Sequence, residues 1–89
     1  MPRVVFTQNI QKHVECPTSD VPGDTVRQAL DHVFAGNPRA RAYVLDDHGA
    51  VRKHMIVYVN GEIVADRVKL SHPLTPSDTV YVMQALSGG

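Results

Sequence analysis

Val80-Tyr81-Val82-Met83-Gln84-Ala85-Leu86-Ser87-Gly88-Gly89 is the stretch on which the reading of this chain turns. Its first half alternates β-branched, aromatic and apolar side chains. That predicts a strand over Thr79 to Met83, with Val80 and Val82 facing a core. Its second half loses bulk and stops on two glycines. Gly loses more freedom on ordering than any other residue, so a terminal pair is expected to stay mobile and to present a reachable carboxylate. A thread without Cβ atoms can pass a narrow channel into another protein's active site. There, activation of the Gly89 carboxylate as an acyl-adenylate would open it to a nucleophile. A frayed end or a cloning remnant has the same two letters, so the residues upstream carry the decision.

Working back from that strand, Asp66 to Asp78 carries Val68, Leu70 and Leu74 as apolar anchors. Pro73 and Pro76 break it, which predicts a winding connector with about one helical turn. Met55 to Val59 is the strongest strand pattern, with Val57 and Val59 inward and Ile56 and Tyr58 on the other face. Asn60-Gly61 follows at once, the two-residue signal of a tight hairpin, and Glu62-Ile63-Val64 is expected to return as a short strand. Ala42 to Leu45 is a short apolar run before the turn signal Asp46-Asp47-His48-Gly49. Thr25 opens the one convincing helix. Gln28 completes a capping box, and Val26, Ala29, Leu30, Val33 and Phe34 form one apolar stripe. Gly36-Asn37-Pro38 is expected to end it. At the start, Arg3 to Gln8 and Lys12 to Cys16 both alternate and predict a hairpin, with Pro17 to Gly23 as a loop. Cys16, at an inward position, is expected to be a small core hydrophobe.

These 89 residues hold a single small core. Nine basic and nine acidic side chains balance to zero, which argues against a general nucleic-acid or anionic-membrane surface. No apolar run approaches the roughly 20 residues that span a bilayer, and the first residues lack the long apolar region of a secretory signal. A single cysteine cannot make an internal disulfide, so a reducing, cytoplasmic setting is expected. The predicted class is α+β, a mixed sheet of four to five strands packed on one main helix. Residues 1–83 are assigned to the domain and 84–89 to a flexible tail.

The hairpin, the helix begun by Gly23-Asp24-Thr25-Val26, the strand end Tyr58-Val59-Asn60-Gly61, the Pro-containing connector, Ser77-Asp78-Thr79-Val80 and the terminal Gly88-Gly89 together resemble the MoaD/ThiS family of ubiquitin-like sulfur carriers. The longer loop from Leu45 to His54 is most similar to the CysO-type branch, although residues 84–87 depart from the Pro-containing endings common in relatives. The resemblance implies a β-grasp fold and a chain that is a carrier rather than an enzyme. It implies that a ThiF/MoeB-like activating enzyme adenylates Gly89 and that sulfur transfer then yields a thiocarboxylate. Gly88, Ser87 and Leu86 form the tail that activation requires. No cofactor is expected to bind the chain itself; ATP and a sulfur donor are used by the partner. A downstream sulfur-accepting synthase, and a JAMM-type protease that trims precursors, complete the implied partners.

Ile56, Tyr58, Tyr81 and Met83 fall on the faces opposite the predicted core, and form a patch for the activating enzyme if their strands are neighbours. Scattered surface hydrophobes, or side chains covered by the 45–54 loop, are the other reading. His13, His32, His48, His54 and His72 show no metal-site spacing, and Arg39, Arg41, Arg52 and Lys53 form a basic strip suited to a solvated face or to steering an acidic partner. Two functions compete with sulfur carriage. One is a protein modifier joined through Gly89 to lysines, and the other is a non-covalent β-grasp module whose tail is incidental.

Overall fold

The computed structural model describes residues 1–85. In chain order the elements are β1 (Arg3–Phe6), α1 (Gln8–Gln11), β2 (Ser19–Asp20), α2 (Val26–Ala35), α3 (Pro38–Val44), β3 (Met55–Val59), β4 (Glu62–Ile63) and β5 (Thr79–Gln84). The five strands form one mixed sheet in the order β2-β1-β5-β3-β4. β5 therefore lies in the middle, parallel to β1 and antiparallel to β3. Register explains the two faces. Val4 pairs with Val80, Phe6 with Val82, and Val57 with Val82, and all are buried on the helix side. Period-two alternation sends their neighbours to the other side.

α2 lies on that inner face because its stripe leaves it no alternative: Val26, Ala29, Leu30 and Phe34 are buried, and Phe34 meets Phe6 at a tilted 6.0 Å between ring centroids. Its N-cap is Thr25, whose hydroxyl accepts from the Gln28 N–H at 3.2 Å. The return bond of the capping box is displaced by one residue, since the Gln28 side chain accepts from Asp24 N–H at 2.7 Å. Gly23 sits so close to this first turn that a Cβ on it would lie 2.8 Å from the Ala29 nitrogen, so the Gly-Asp-Thr entry needs a residue without a side chain. At the hairpin, Asn60 (φ 50°) and Gly61 (φ 89°) both take the left-handed backbone that a two-residue turn of this hand requires.

Three sequence expectations are corrected. Lys12 to Cys16 is not a strand. The chain makes one helical turn at α1, and the strand that pairs antiparallel with β1 is the two-residue β2, inside the segment expected to be a loop. Val14 and Cys16 are nonetheless buried, anchoring that crossing from the inside. The Cys16 thiol donates to the Val14 carbonyl at 3.3 Å, and burial pushes its pKa up, as in a core residue. α2 is not the only helix. Asn37 caps α3, accepting from Ala40 N–H at 3.2 Å, and Pro38 opens it, so the signal that stops one helix also starts the next. Val68, expected as an anchor, is exposed, while Leu70 and Leu74 are buried as read.

The irregular segments are held by side chains on backbone groups. Arg27 of α2 reaches across to donate to the carbonyls of Gly49 (2.6 Å) and Val68 (2.9 Å). Arg67 donates to those of Arg52 (2.6 Å) and Met55 (2.7 Å). The 45–54 insert is thereby pinned to the helix and to β3. Asp66 accepts from the Ser71 hydroxyl at 2.7 Å and from the N–H groups of Lys69, Ser71 and Val68. These bonds, the Ser71 hydroxyl first, favour the charged form and hold its pKa far below the usual carboxylate range. Asp46 is lowered chiefly by the Ala50 N–H, and Asp78 chiefly by the Thr75 N–H. A carboxylate with a depressed folded pKa contributes stability above its unfolded value of about 3.9 and loses it as pH falls through the folded value. The thermal midpoint is therefore expected to be flat from neutrality to about pH 5 and to fall below about pH 4, with a shallower fall in Asp66→Asn. Equal midpoints for the parent at neutral and strongly acid pH contradict this.

Candidate functional site

Two surfaces meet where β5 leaves the sheet. The first is the sheet face away from α2. In register across it stand Val5, Tyr81, Tyr58 and Ile63, and beside them Ile56 pairs with Met83. The structure thus brings Ile56, Tyr58, Tyr81 and Met83 together as cross-strand neighbours. Tyr81 is 40% exposed, while Ile56, Tyr58 and Met83 are half-buried. Register adds Val5 and Ile63, which the sequence reading left out; Ile63 is 59% exposed. Their signal was present in the alternation of β1 and β4, but which strands flank β5 is a matter of topology that alternation does not carry. A contiguous apolar sheet face of this kind marks a partner surface more often than chance exposure does.

The second surface is the root of the terminal segment. β5 runs to Gln84, opposite Met55, and the next residue is also held: Ala85 N–H donates to the His54 carbonyl at 2.7 Å. The Gln84 side chain is gripped from both sides. Its amide nitrogen donates to the Tyr43 hydroxyl at 2.8 Å, and its carbonyl oxygen accepts from the Asn9 amide. His13 stacks on Tyr43 with centroids 5.8 Å apart. Ala42, Tyr43, Arg52, His54, Met55 and Gln84 surround an open recess of about 370 Å³. Gln84 and Ala85, placed in the tail by sequence, are thus hydrogen-bonded to the body. Leu86, Ser87, Gly88 and Gly89 lie outside the described residues.

Tyr43, Asn9 and His13 were not read as site residues. Tyr43 belongs to the helix that the sequence hid, and Asn9 to the turn taken for a hairpin bend. At the far end of β5, Asn60 donates to Asp78 at 2.7 Å and accepts from Thr79 N–H at 3.0 Å, fixing the strand's start. No group of three or more His, Cys, Asp or Glu side chains arranged to hold a metal occurs among the described residues. No described helix is long and apolar enough to cross a membrane.

A mixed five-stranded sheet with its late strand in the centre and one main helix across it is the β-grasp arrangement of ubiquitin-like proteins. The ThiS family profile matches residues 5–89, and the chain belongs to that family of ubiquitin-like sulfur carriers. Among solved structures it is similar to SAMP1 from Haloferax volcanii, at 27% identity over 99% of this chain and 98% of that one, with a TM-score of 0.76. It also superposes on a chain of the Amycolatopsis orientalis BexX/CysO complex, with 22% identity over 100% of both chains and a TM-score of 0.81. Mycobacterium tuberculosis CysO gives 19% identity over 97% and 100% of the two chains and a TM-score of 0.79. These two CysO likenesses speak to the fold. No curated protein sequence matches. Family and fold together place the chain among the ubiquitin-like proteins of the ThiS type.

Proposed function

We propose that the chain is a sulfur carrier rather than an enzyme, and that its Gly89 carboxyl is the group that carries sulfur. The observation behind this reading is the family match that extends through Gly88-Gly89, directly downstream of a central strand whose exit is hydrogen-bonded in place. A carboxylate acylates poorly because oxide is a poor leaving group. A ThiF/MoeB-like enzyme would join it to the α-phosphate of ATP, releasing pyrophosphate. The outer sulfur of a donor persulfide would then attack the acyl carbon and AMP would leave, giving an acyl disulfide. A thiol would attack the donor's sulfur, forming a disulfide with it and releasing the Gly89 thiocarboxylate. A synthase in a biosynthetic pathway would accept that sulfur, so sulfide is never released into the cytoplasm. The body supplies recognition through Ile56, Tyr58, Tyr81 and Met83. Leu86, Ser87 and Gly88 supply reach, with Leu86 as the anchor in the partner's channel. A JAMM-type protease would process any precursor extended beyond Gly89.

Incubation of the chain ending at Gly89 with ATP, a sulfur donor and the activating enzyme of the same genome should replace one oxygen by sulfur in the intact mass. A mass unchanged by every such enzyme, under conditions where other carriers react, overturns the proposal. The likeness to SAMP1, a small archaeal modifier protein, supports a second reading in which Gly89 is joined to lysine amines. Tryptic digestion of a conjugate would leave residues 70–89 attached through Gly89 to a target lysine, because Lys69 is the last lysine or arginine of the chain. Such branched peptides in digested lysate distinguish this reading, since sulfur carriage alone leaves none.

A further inference from the structure

The chain is neutral in sum, yet its charges are sorted along β5. Around the strand's start stand acids: Asp78 precedes it, Asp20 sits opposite Arg3 in the row of Thr79, and Glu62 opposite Val59 in the row of Val80. Around its end stand cations. Lys12 closes α1 and lines a groove with His13 and Arg39. Arg39 lies one helical turn before Tyr43 on α3, and Tyr43 walls the recess with Arg52 and His54. Lys53 is the exposed residue between Arg52 and His54, the residue whose carbonyl holds Ala85.

The Arg52 Nε donates to the Ala42 carbonyl at 2.8 Å, and no cation of this group is in an ion pair with a described carboxylate. Among the described residues the ion pairs are Arg3 with Asp20 and Arg27 with Asp31. Among the described residues, Lys12, Arg39, Arg52 and Lys53 are in neither pair. Glu15 shares the groove of Lys12 and Arg39, and the Asp46 carboxylate near Arg52 is taken up by the N–H groups of His48 and Ala50. A half-collar of positive charge, outside the ion pairs of the described residues, thus borders the place where the chain passes Ala85. Within it lies a recess that touches Gln84, with the ring of Tyr43, Ala42 and Met55 as its apolar walls.

We infer that this collar and recess form a second gripping surface, separate from the apolar sheet face, and that it fits an enzyme whose tail-accepting mouth is rimmed by Asp and Glu and offers one apolar side chain to the recess. The inference rests on the function proposed above and specifies the partner chemistry at the tail. Every partner that takes the terminal segment must close over this rim, so opposite charge there both steers approach and sets the orientation in which the segment enters. Exposed cations lose little solvation until they are met, which makes their effect one of encounter rate and screening by salt.

The test is steady-state thiocarboxylate formation by the activating enzyme at two ionic strengths. Lys12→Glu, Arg39→Glu and Lys53→Glu are combined, leaving Tyr43, His54, Gln84 and the sheet face unchanged. Lys69→Glu, away from the collar, is the control. The triple variant is expected to raise KM about tenfold at low salt, with kcat within about twofold, and to flatten the salt dependence of KM that the parent shows. The control is expected to behave as the parent. If the triple variant does not fold, Lys53→Glu alone carries the same sign with a smaller shift. A parental KM in the reversed variants, or a parental KM that ignores salt, overturns this inference while leaving the carrier function in place. A parent chain that is never modified overturns both.

Discussion

Replacing Gly88 and Gly89 by alanine is expected to leave the thermal midpoint where it was and to lower the rate of sulfur loading by at least about 100-fold. The first half of this expectation follows from where the core ends. Val80 and Val82 are the last fully buried side chains described, and Gln84 and Ala85 are hydrogen-bonded to the body. The second half follows from the proposed chemistry. An acyl carbon must lie within bonding reach of a phosphorus atom, and then of a sulfur, in a channel shaped for bare backbone. A methyl group at each of the last two positions pushes the chain off that line, and a misplacement of about 1 Å can cost about two orders of magnitude in rate. Intact-mass time courses with midpoints from calorimetry separate the two halves. Full loading of the alanine variant sinks the assignment of Gly89. A collapsed midpoint places structural weight on residues proposed to be reach alone.

The second large effect is expected on the sheet face. Tyr58 and Tyr81 stand directly opposite one another on β3 and β5, flanked by Val5 and Ile63. Paired aromatics at the centre of an apolar patch are the residues that dominate protein–protein contacts, with truncation costs of about 2–4 kcal/mol. Tyr58→Ala with Tyr81→Ala is therefore expected to raise KM for loading by about 30-fold or more while kcat changes little, because both rings act before the chemistry. The KM–kcat split decides between explanations. A double variant with parental KM removes the sheet face from the partner surface. One that loses kcat and keeps KM shows that the rings position the tail instead.

How far the amino-acid sequence speaks for this fold depends on whether a signal is local. The hairpin at Asn60-Gly61, the alternation of Met55 to Val59, and the Thr25 cap with its stripe are all complete within a few residues, and all are found as read. β2 has no such signal. Ser19-Asp20 lies between Pro17 and Pro22 and is a strand because the edge of β1 at Arg3 and Val4 is there to pair with. α3 hid behind a signal with two meanings. Gly36-Asn37-Pro38 stops α2, and its last two residues are also a helix N-cap and first position. With α3 unread, Tyr43 had no reason to lie beside Gln84, nor Arg39 beside Lys12. The four apolar patch residues were legible because strand alternation alone puts them on one face. Arg27 and Arg67 donate to the carbonyls of Gly49, Val68, Arg52 and Met55, all distant in sequence, and no local pattern announces such bonds.

The middle place of β5 has a consequence for how the protein is made. β1 with β2, and β3 with β4, are two small ribbons that share no edge until residues 79–84 are laid between them. On the ribosome, everything before Thr79 is two half-sheets, each with a raw edge that attracts other strands or proteases. A product that stops before Thr79 is therefore not a carrier lacking its terminal residues but a body whose sheet has not closed. Closure of the sheet and synthesis of the strand that leads to the glycines are thus one event.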